Sequence, residues 1–101
     1  MFLEQRTVSR KTPLDGKLEI SPAVAGRLEV LGAEFPVAAL GREEPGRLES
    51  LECSCAKAAS AGGRHVHHFV VSPLLRGLVA GAQVRVELDE ARGALRVDAA
   101  D

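Results

Sequence analysis

Apolar and polar residues alternate most clearly near the C-terminal end of the chain. Over residues 84–88 two valines and a leucine alternate with an arginine and a glutamate, as in a strand with one buried face. A turn over 89–93 and a return strand with Leu95 and Val97 around Arg96 complete a predicted hairpin. Residues 18–20, 35–40, 48–55 and 65–71 predict further strands, and the polar segment 41–46 predicts a turn.

Two short helices are predicted, each beginning at a Ser-Pro pair. Ser21 and Ser72 offer capping oxygens, and the proline after each suits a first helical turn. Gly32 and Gly81 end the two helices. Both halves of the chain, about 10–50 and 51–101, therefore run strand, helix, glycine, strand. This order indicates a duplication, and two unrelated helix caps are the alternative.

The length of 101 residues predicts one domain with a single core. Its only aromatic residues are Phe2, Phe35 and Phe69, so the core is expected to be aliphatic. No apolar run approaches the roughly 18 residues of a membrane span, and the residues after Met1 do not form a signal peptide. We therefore expect a cytoplasmic protein without a membrane partner.

The net charge of −1 conceals an uneven distribution. Residues 1–52 carry seven basic and nine acidic side chains, residues 53–86 carry four basic and none acidic, and residues 87–101 carry two basic and five acidic. The cationic middle also holds both cysteines and all three histidines. Bulk attraction to nucleic acid is not expected from the total, but a small anion-binding face is compatible with this distribution.

Two segments of the chain resemble the half-barrels of AbrB-type swapped-hairpin transcription factors and related cradle-loop barrels. The first is residues 10–22, where basic residues and Asp15-Gly16-Lys17 precede an apolar residue and Pro22; the second is Gly63-Arg64 with residues 69–97. The resemblance implies a mainly β, small closed barrel of two similar strand-helix-hairpin halves. It also implies contacts to DNA phosphates from basic residues, here Arg10, Lys11, Lys17, Arg64 and Arg76. The residues directly after Pro22, Ala23-Val24-Ala25-Gly26, lack the basic residue that the family often has on this helix.

A second candidate site combines Cys53 and Cys55 with His65 and His67. If the strands around them pair with Cys55 opposite His65 and Cys53 opposite His67, all four side chains share one face. Two thiolates and two imidazoles are a typical structural zinc set, although the i, i+2 spacing requires a twisted or bulged hairpin. Buried cysteines with solvent-facing histidines are the alternative, and Cys/His catalysis ranks last because this region offers no orienting acid.

The sequence thus predicts a non-enzymatic binding module, monomeric or homodimeric. Its first expected function is AbrB-like duplex DNA binding or regulation. A zinc-binding domain and a protein-interaction domain with an exposed strand edge are the alternatives. Single-stranded nucleic acid is not expected as a ligand because the chain has no Trp or Tyr for base stacking.

Overall fold

The computed structural model describes residues 1–53 and 65–100, and it confirms that the protein is mainly β. The elements in this part of the chain are β1 (Phe2–Thr7), α1 (Lys11–Asp15), β2 (Lys17–Ile20), α2 (Pro22–Glu29), β3 (Phe35–Ala39), β4 (Arg42–Cys53), β5 (His65–Val71), a 3-10 helix (Pro73–Gly77), β6 (Gln83–Asp89) and β7 (Ala94–Ala99). Both Ser-Pro pairs begin helices as predicted, whereas β1 and α1 lie in a region for which the sequence pattern gave no prediction. None of the helices described is long and apolar enough to cross a membrane.

The strands form one mixed sheet in the order β1-β6-β7-β3-β4-β5-β2. All pairs are antiparallel except β3 with β7. The long strand β4 pairs with β3 through residues 42–46 and with β5 through residues 47–53. Gly46 lies at this change of partner, where an added Cβ would lie 3.1 Å from the carbonyl oxygen of Val71 and overlap a methyl of Val37. A side chain at residue 46 would therefore require Val37 to move and would press against the backbone of β5.

The expected closed barrel is not formed, because the described strands β1 and β2 remain the two edges of the sheet. The two edges nevertheless approach each other, since the Ser21 backbone N–H donates to the Glu4 carboxylate at 3.0 Å. Strand β2 has only four residues, and the chain enters α2 immediately after Ser21. A side chain, not a strand ladder, therefore bridges the open seam.

The core is aliphatic, as the composition predicts. Its fully buried members come from both the β3–β4 and β6–β7 hairpins, from β5 and from both Ser-Pro helices; they include Leu28, Val37, Val70, Leu75, Val86 and Leu95. Phe35 belongs to this cluster, whereas Phe2 is 48% exposed at the start of β1. A single core therefore packs elements from both halves of the sequence.

The predicted turn over 41–46 is wrong, because β4 already begins at Arg42. The chain reverses within Leu40 and Gly41, whose φ angles of 55° and 71° are left-handed, as in the tight two-residue turns of β-hairpins. Pro45 lies directly opposite Pro36. This is a non-hydrogen-bonded position of the ladder, so neither missing N–H weakens the β3–β4 pairing. Both prolines therefore fit within the paired strands β3 and β4.

The two Ser-Pro helices begin differently. The Ser21 hydroxyl accepts a hydrogen bond from the Val24 N–H at 3.3 Å, which is the predicted cap. Ser72 makes no such bond; its backbone carbonyl accepts from the Leu75 N–H at 3.1 Å in a 3-10 turn, and its hydroxyl is buried without a partner among the described residues. The two halves also place their last strands differently in the sheet. Strand β4 pairs with β5, which follows it in the chain, whereas β7 pairs with β3 from the first half. The duplication therefore stays a prediction.

Candidate nucleic-acid interface

Phe69 lies at the centre of one face of the β2-β5-β4 part of the sheet. Its register partners are Glu19 on β2 and Glu49 on β4, and the next row of this face places Lys17 and Arg47 on either side of Val71. Alternate residues of a strand share a face, so charged side chains surround this aromatic ring. We call the set Lys17, Glu19, Arg47, Glu49, His67 and Phe69 the Phe69 face.

Two lysines cover the Phe69 ring. The Lys11 Nζ lies 5.1 Å and the Lys17 Nζ 5.9 Å from the ring centroid, within cation–π distance. Lysine stems can cover apolar surface while their ammonium groups remain in water. Phe69 is accordingly only 2% exposed. The ring is therefore a support for two cations, and it is not a platform on which a nucleic acid base could stack.

Glu49 neutralises part of this positive charge. One of its carboxylate oxygens accepts a hydrogen bond from the Lys17 Nζ at 2.7 Å, and the other lies 3.2 Å from an Arg47 guanidinium nitrogen. The hydrogen bond from Lys17, together with the charges of Lys17 and Arg47, lowers the pKa of Glu49 against the opposing effect of burial. Glu49 is therefore ionised at neutral pH and compensates two cations at once.

Helix α1 places its basic residues beside this face through contacts made at Gly16. The helix ends at Gly16, whose left-handed backbone (φ 68°) lets its N–H donate to the Thr12 carbonyl oxygen at 2.9 Å. The buried Thr12 hydroxyl donates to the Lys17 carbonyl oxygen at 2.7 Å, and the Ser72 N–H donates to the Gly16 carbonyl oxygen at 2.9 Å. These bonds join α1, β2 and the start of the 3-10 helix.

The 3-10 helix contributes Arg76 to the same region, beside the junction between α1 and β2. A Cβ built on Gly16 would lie 3.5 Å from the Cγ of Arg76, so this exposed arginine runs past the point where α1 becomes β2. Arg10 occupies the N-cap position of α1, directly before Lys11, and is also exposed. Arg10, Lys11, Lys17 and Arg76 are therefore neighbours in the fold.

Four of the five predicted phosphate-contacting residues are thus brought to one region, and Arg64 lies in the segment 54–64 that the structure does not describe. The sequence reasoning missed Arg47, although its place two residues before Glu49 on a strand indicated a shared face. We call Arg10, Lys11, Lys17, Arg47 and Arg76 the basic face. No ion pair joins Arg10, Lys11 or Arg76 to another residue of the described chain, so three of these five cations are uncompensated.

The histidines of β5 have polar neighbours on adjacent strands. The Nδ1 of His67 lies 2.8 Å from a carboxylate oxygen of Glu19, and the Nδ1 of His68 lies 2.7 Å from the Ser50 hydroxyl. Since His67 and His68 are consecutive, the two contacts are on opposite faces of the sheet. His67 therefore belongs to the Phe69 face, whereas His68 lies on the opposite face of the sheet.

The predicted pairing around the cysteines is wrong by two residues. Cys53 lies opposite His65, and His67 lies opposite Leu51. A shift of two residues keeps every side chain on its original face, so the alternation of the sequence could not distinguish the two registers. Cys55 falls within the undescribed segment. Where the structure describes the chain, no group of three or more His, Cys, Asp or Glu side chains has an arrangement suited to a metal ion.

Comparison of the chain with protein-family models, with curated proteins and with solved structures finds no match. The charges and contacts of the basic face are therefore the features of this chain that indicate a function.

Proposed function

We propose that the protein is a non-enzymatic module that binds duplex nucleic acid through the basic face, as its resemblance to the AbrB-type family implies. The observation that supports this proposal is the convergence of Lys11, Lys17 and Arg76, which come from three separate elements, around the corner formed at Gly16. This grouping of cations, on a protein that has no overall positive charge, supports a DNA-binding or regulatory role.

The arrangement favours phosphate contacts over base recognition. Phe69 is buried beneath two lysines and offers no stacking surface, which argues against single-stranded ligands. Lys11, Arg10 and Arg76 are the cations available for phosphates, and about three phosphate contacts correspond to a slope near −2.7 in a plot of log K against log salt concentration. The expected binding is therefore modest in affinity, strongly salt-dependent and only weakly dependent on sequence.

Titration of a short DNA duplex at two or more salt concentrations tests this proposal. Wild-type protein is expected to bind with a slope of roughly −2 to −3, and the double variant Lys11→Glu with Arg76→Glu is expected to lose detectable binding. Arg96→Glu is the matched control, since Arg96 is an exposed arginine on β7 in the other part of the sheet. Equal losses in Lys11→Glu, Arg76→Glu and Arg96→Glu, or binding that does not respond to salt, would contradict a role for the basic face.

A zinc site is the second candidate function, and one observation favours it. Cys53 and His65 occupy directly opposite register positions, and His67, two residues further along β5, has its Nδ1 against the Glu19 carboxylate. Carboxylates commonly orient metal-ligating histidines in this way, so Cys53, Cys55, His65 and His67 remain the proposed ligands.

Metal analysis of the purified protein tests the zinc proposal. About one zinc ion per chain is expected, with loss of that zinc in Cys53→Ser and retention in His68→Ala, whose residue faces the other side of the sheet. A protein that contains no zinc and binds none when zinc is added would contradict the proposal. Because the cysteines are not part of the basic face, this result is independent of the DNA titration.

A further inference from the structure

An apolar groove lies between the outer side of α2 and the β6–β7 turn. It has a volume of about 520 Å³, and its lining includes Gly26 of α2, Val30 and Leu31 directly after that helix, and Leu88 of β6. Val30 is 86% exposed, more than any other large apolar residue in the described chain. Apolar residues gathered in a groove, unlike single scattered ones, are a feature of interaction sites.

Gly26 has no reason within the described chain to be glycine. It is a helical residue without a positive φ, and a Cβ added there would meet nothing within 4 Å. Glycine inside a helix is less stable than alanine, so its presence here is unfavourable for the isolated chain. A glycine on an exposed helix does, however, let another backbone approach closely, which suits a contact made from outside.

The charges at the rim of the groove indicate which partner fits. Arg27 and Glu90 both line the groove, and neither forms an ion pair with a described residue. In a two-fold interface both copies use the same surface. If one residue of the first copy contacts a second residue of its partner, the reverse contact is also made. A rim that carries one unpaired cation and one unpaired anion is self-complementary under this symmetry.

We infer that this groove is the interface of a homodimer, in which α2 of one copy packs against the groove of a second copy and Arg27 of each faces Glu90 of the other. The seven residues that line the groove are fewer than the roughly 20–30 per partner of a standard interface, so association is expected in the micromolar range or weaker. The inference does not depend on nucleic acid binding, because no residue of the basic face lines the groove.

Sedimentation analysis from low micromolar to near-millimolar protein tests the inference. Wild-type protein is expected to shift from monomer to dimer as its concentration rises. Arg27→Glu and Glu90→Arg are each expected to weaken dimerisation by about fivefold or more, and the double charge swap is expected to restore it. Glu34→Arg, an exposed site outside the groove, is the control and is expected to leave dimerisation unchanged.

Gly26→Ala provides a second measurement with opposite effects on the monomer and the dimer. Removing the helical glycine is expected to raise the Tm of dilute protein by roughly 2–6 °C while weakening dimerisation. A protein that is monomeric at every concentration, assembly into open chains, or a charge swap that fails to restore dimerisation would each overturn the inference. Increased Tm without weaker dimerisation would also overturn it, because that result shows that no backbone approaches Gly26.

Discussion

Gly16→Ala is expected to lower the free energy of unfolding by about 2–4 kcal/mol. Two causes combine at this position. The φ angle of 68° is unfavourable for a residue with a side chain, and the added Cβ would lie 2.6 Å from the Ser72 carbonyl oxygen. Relief of that contact requires α1 to move away from the 3-10 helix, which would also separate Lys11 from Arg76.

Gly41→Ala separates the two causes. Gly41 has nearly the same φ angle, 71°, but an added Cβ there would meet nothing within 4 Å, so a loss of only about 1 kcal/mol is expected. Urea unfolding followed by far-UV circular dichroism measures both losses, since the chain contains no tryptophan for fluorescence. Equal losses in the two variants would show that α1 is not held tightly against Ser72.

The sequence predicted those parts of the fold that depend on local patterns. Alternation of residues identified β6 and β7, and the Ser21-Pro22 pair identified the start of α2. The turn after β3 was predicted over too many residues. The actual two-residue turn requires a left-handed backbone at Leu40, for which no local sequence signal exists. The closed barrel that the resemblance implies was also wrong. Closure depends on whether the edge strands β1 and β2 pair with each other, and the alternation of residues within a strand does not determine this.

The candidate site shows the same division between local and long-range information. The resemblance selected Lys11, Lys17 and Arg76 by their neighbours in sequence, and the structure brings them together. The neutralisation of Lys17 could not be predicted, because its partner Glu49 lies 32 positions away in the sequence and reaches it across β5. The same limit applies to the cysteines. Two registers that differ by two residues place the same side chains on the same face, so the sequence alone could not show which histidine lies opposite Cys53.

Neutralising Glu49 is expected to strengthen DNA binding. Glu49→Gln retains the size of the side chain but removes the charge that compensates Lys17 and Arg47, so both cations become available for phosphates. Each additional phosphate contact steepens the salt slope by about 0.9, which corresponds to roughly eightfold tighter binding near 0.1 M salt. We therefore expect a gain of about eightfold or more, measured by duplex titration, together with a steeper slope.

The pKa of Glu49 determines how this gain depends on pH. Folding lowers the pKa, so the wild-type carboxylate stays charged through the neutral range, and the ion pairs stabilise the fold fully above the ordinary glutamate pKa. As the pH falls through the lowered value, the wild-type carboxylate becomes protonated and this stabilisation is lost. The affinity advantage of Glu49→Gln is thus expected to be constant between about pH 6 and 8 and to disappear in acid.

Glu43→Gln is the matched control because it removes the same charge and also releases a cation, Arg92, whose guanidinium lies 2.7 and 2.8 Å from the two Glu43 carboxylate oxygens. Arg92 precedes β7, away from the Phe69 face. If Glu43→Gln tightened DNA binding as much as Glu49→Gln, the gain would come from net charge alone. A larger gain and a steeper salt slope for Glu49→Gln alone would locate the additional phosphate contacts at Lys17 and Arg47. Unchanged binding in both variants would contradict the release of these two cations to phosphates.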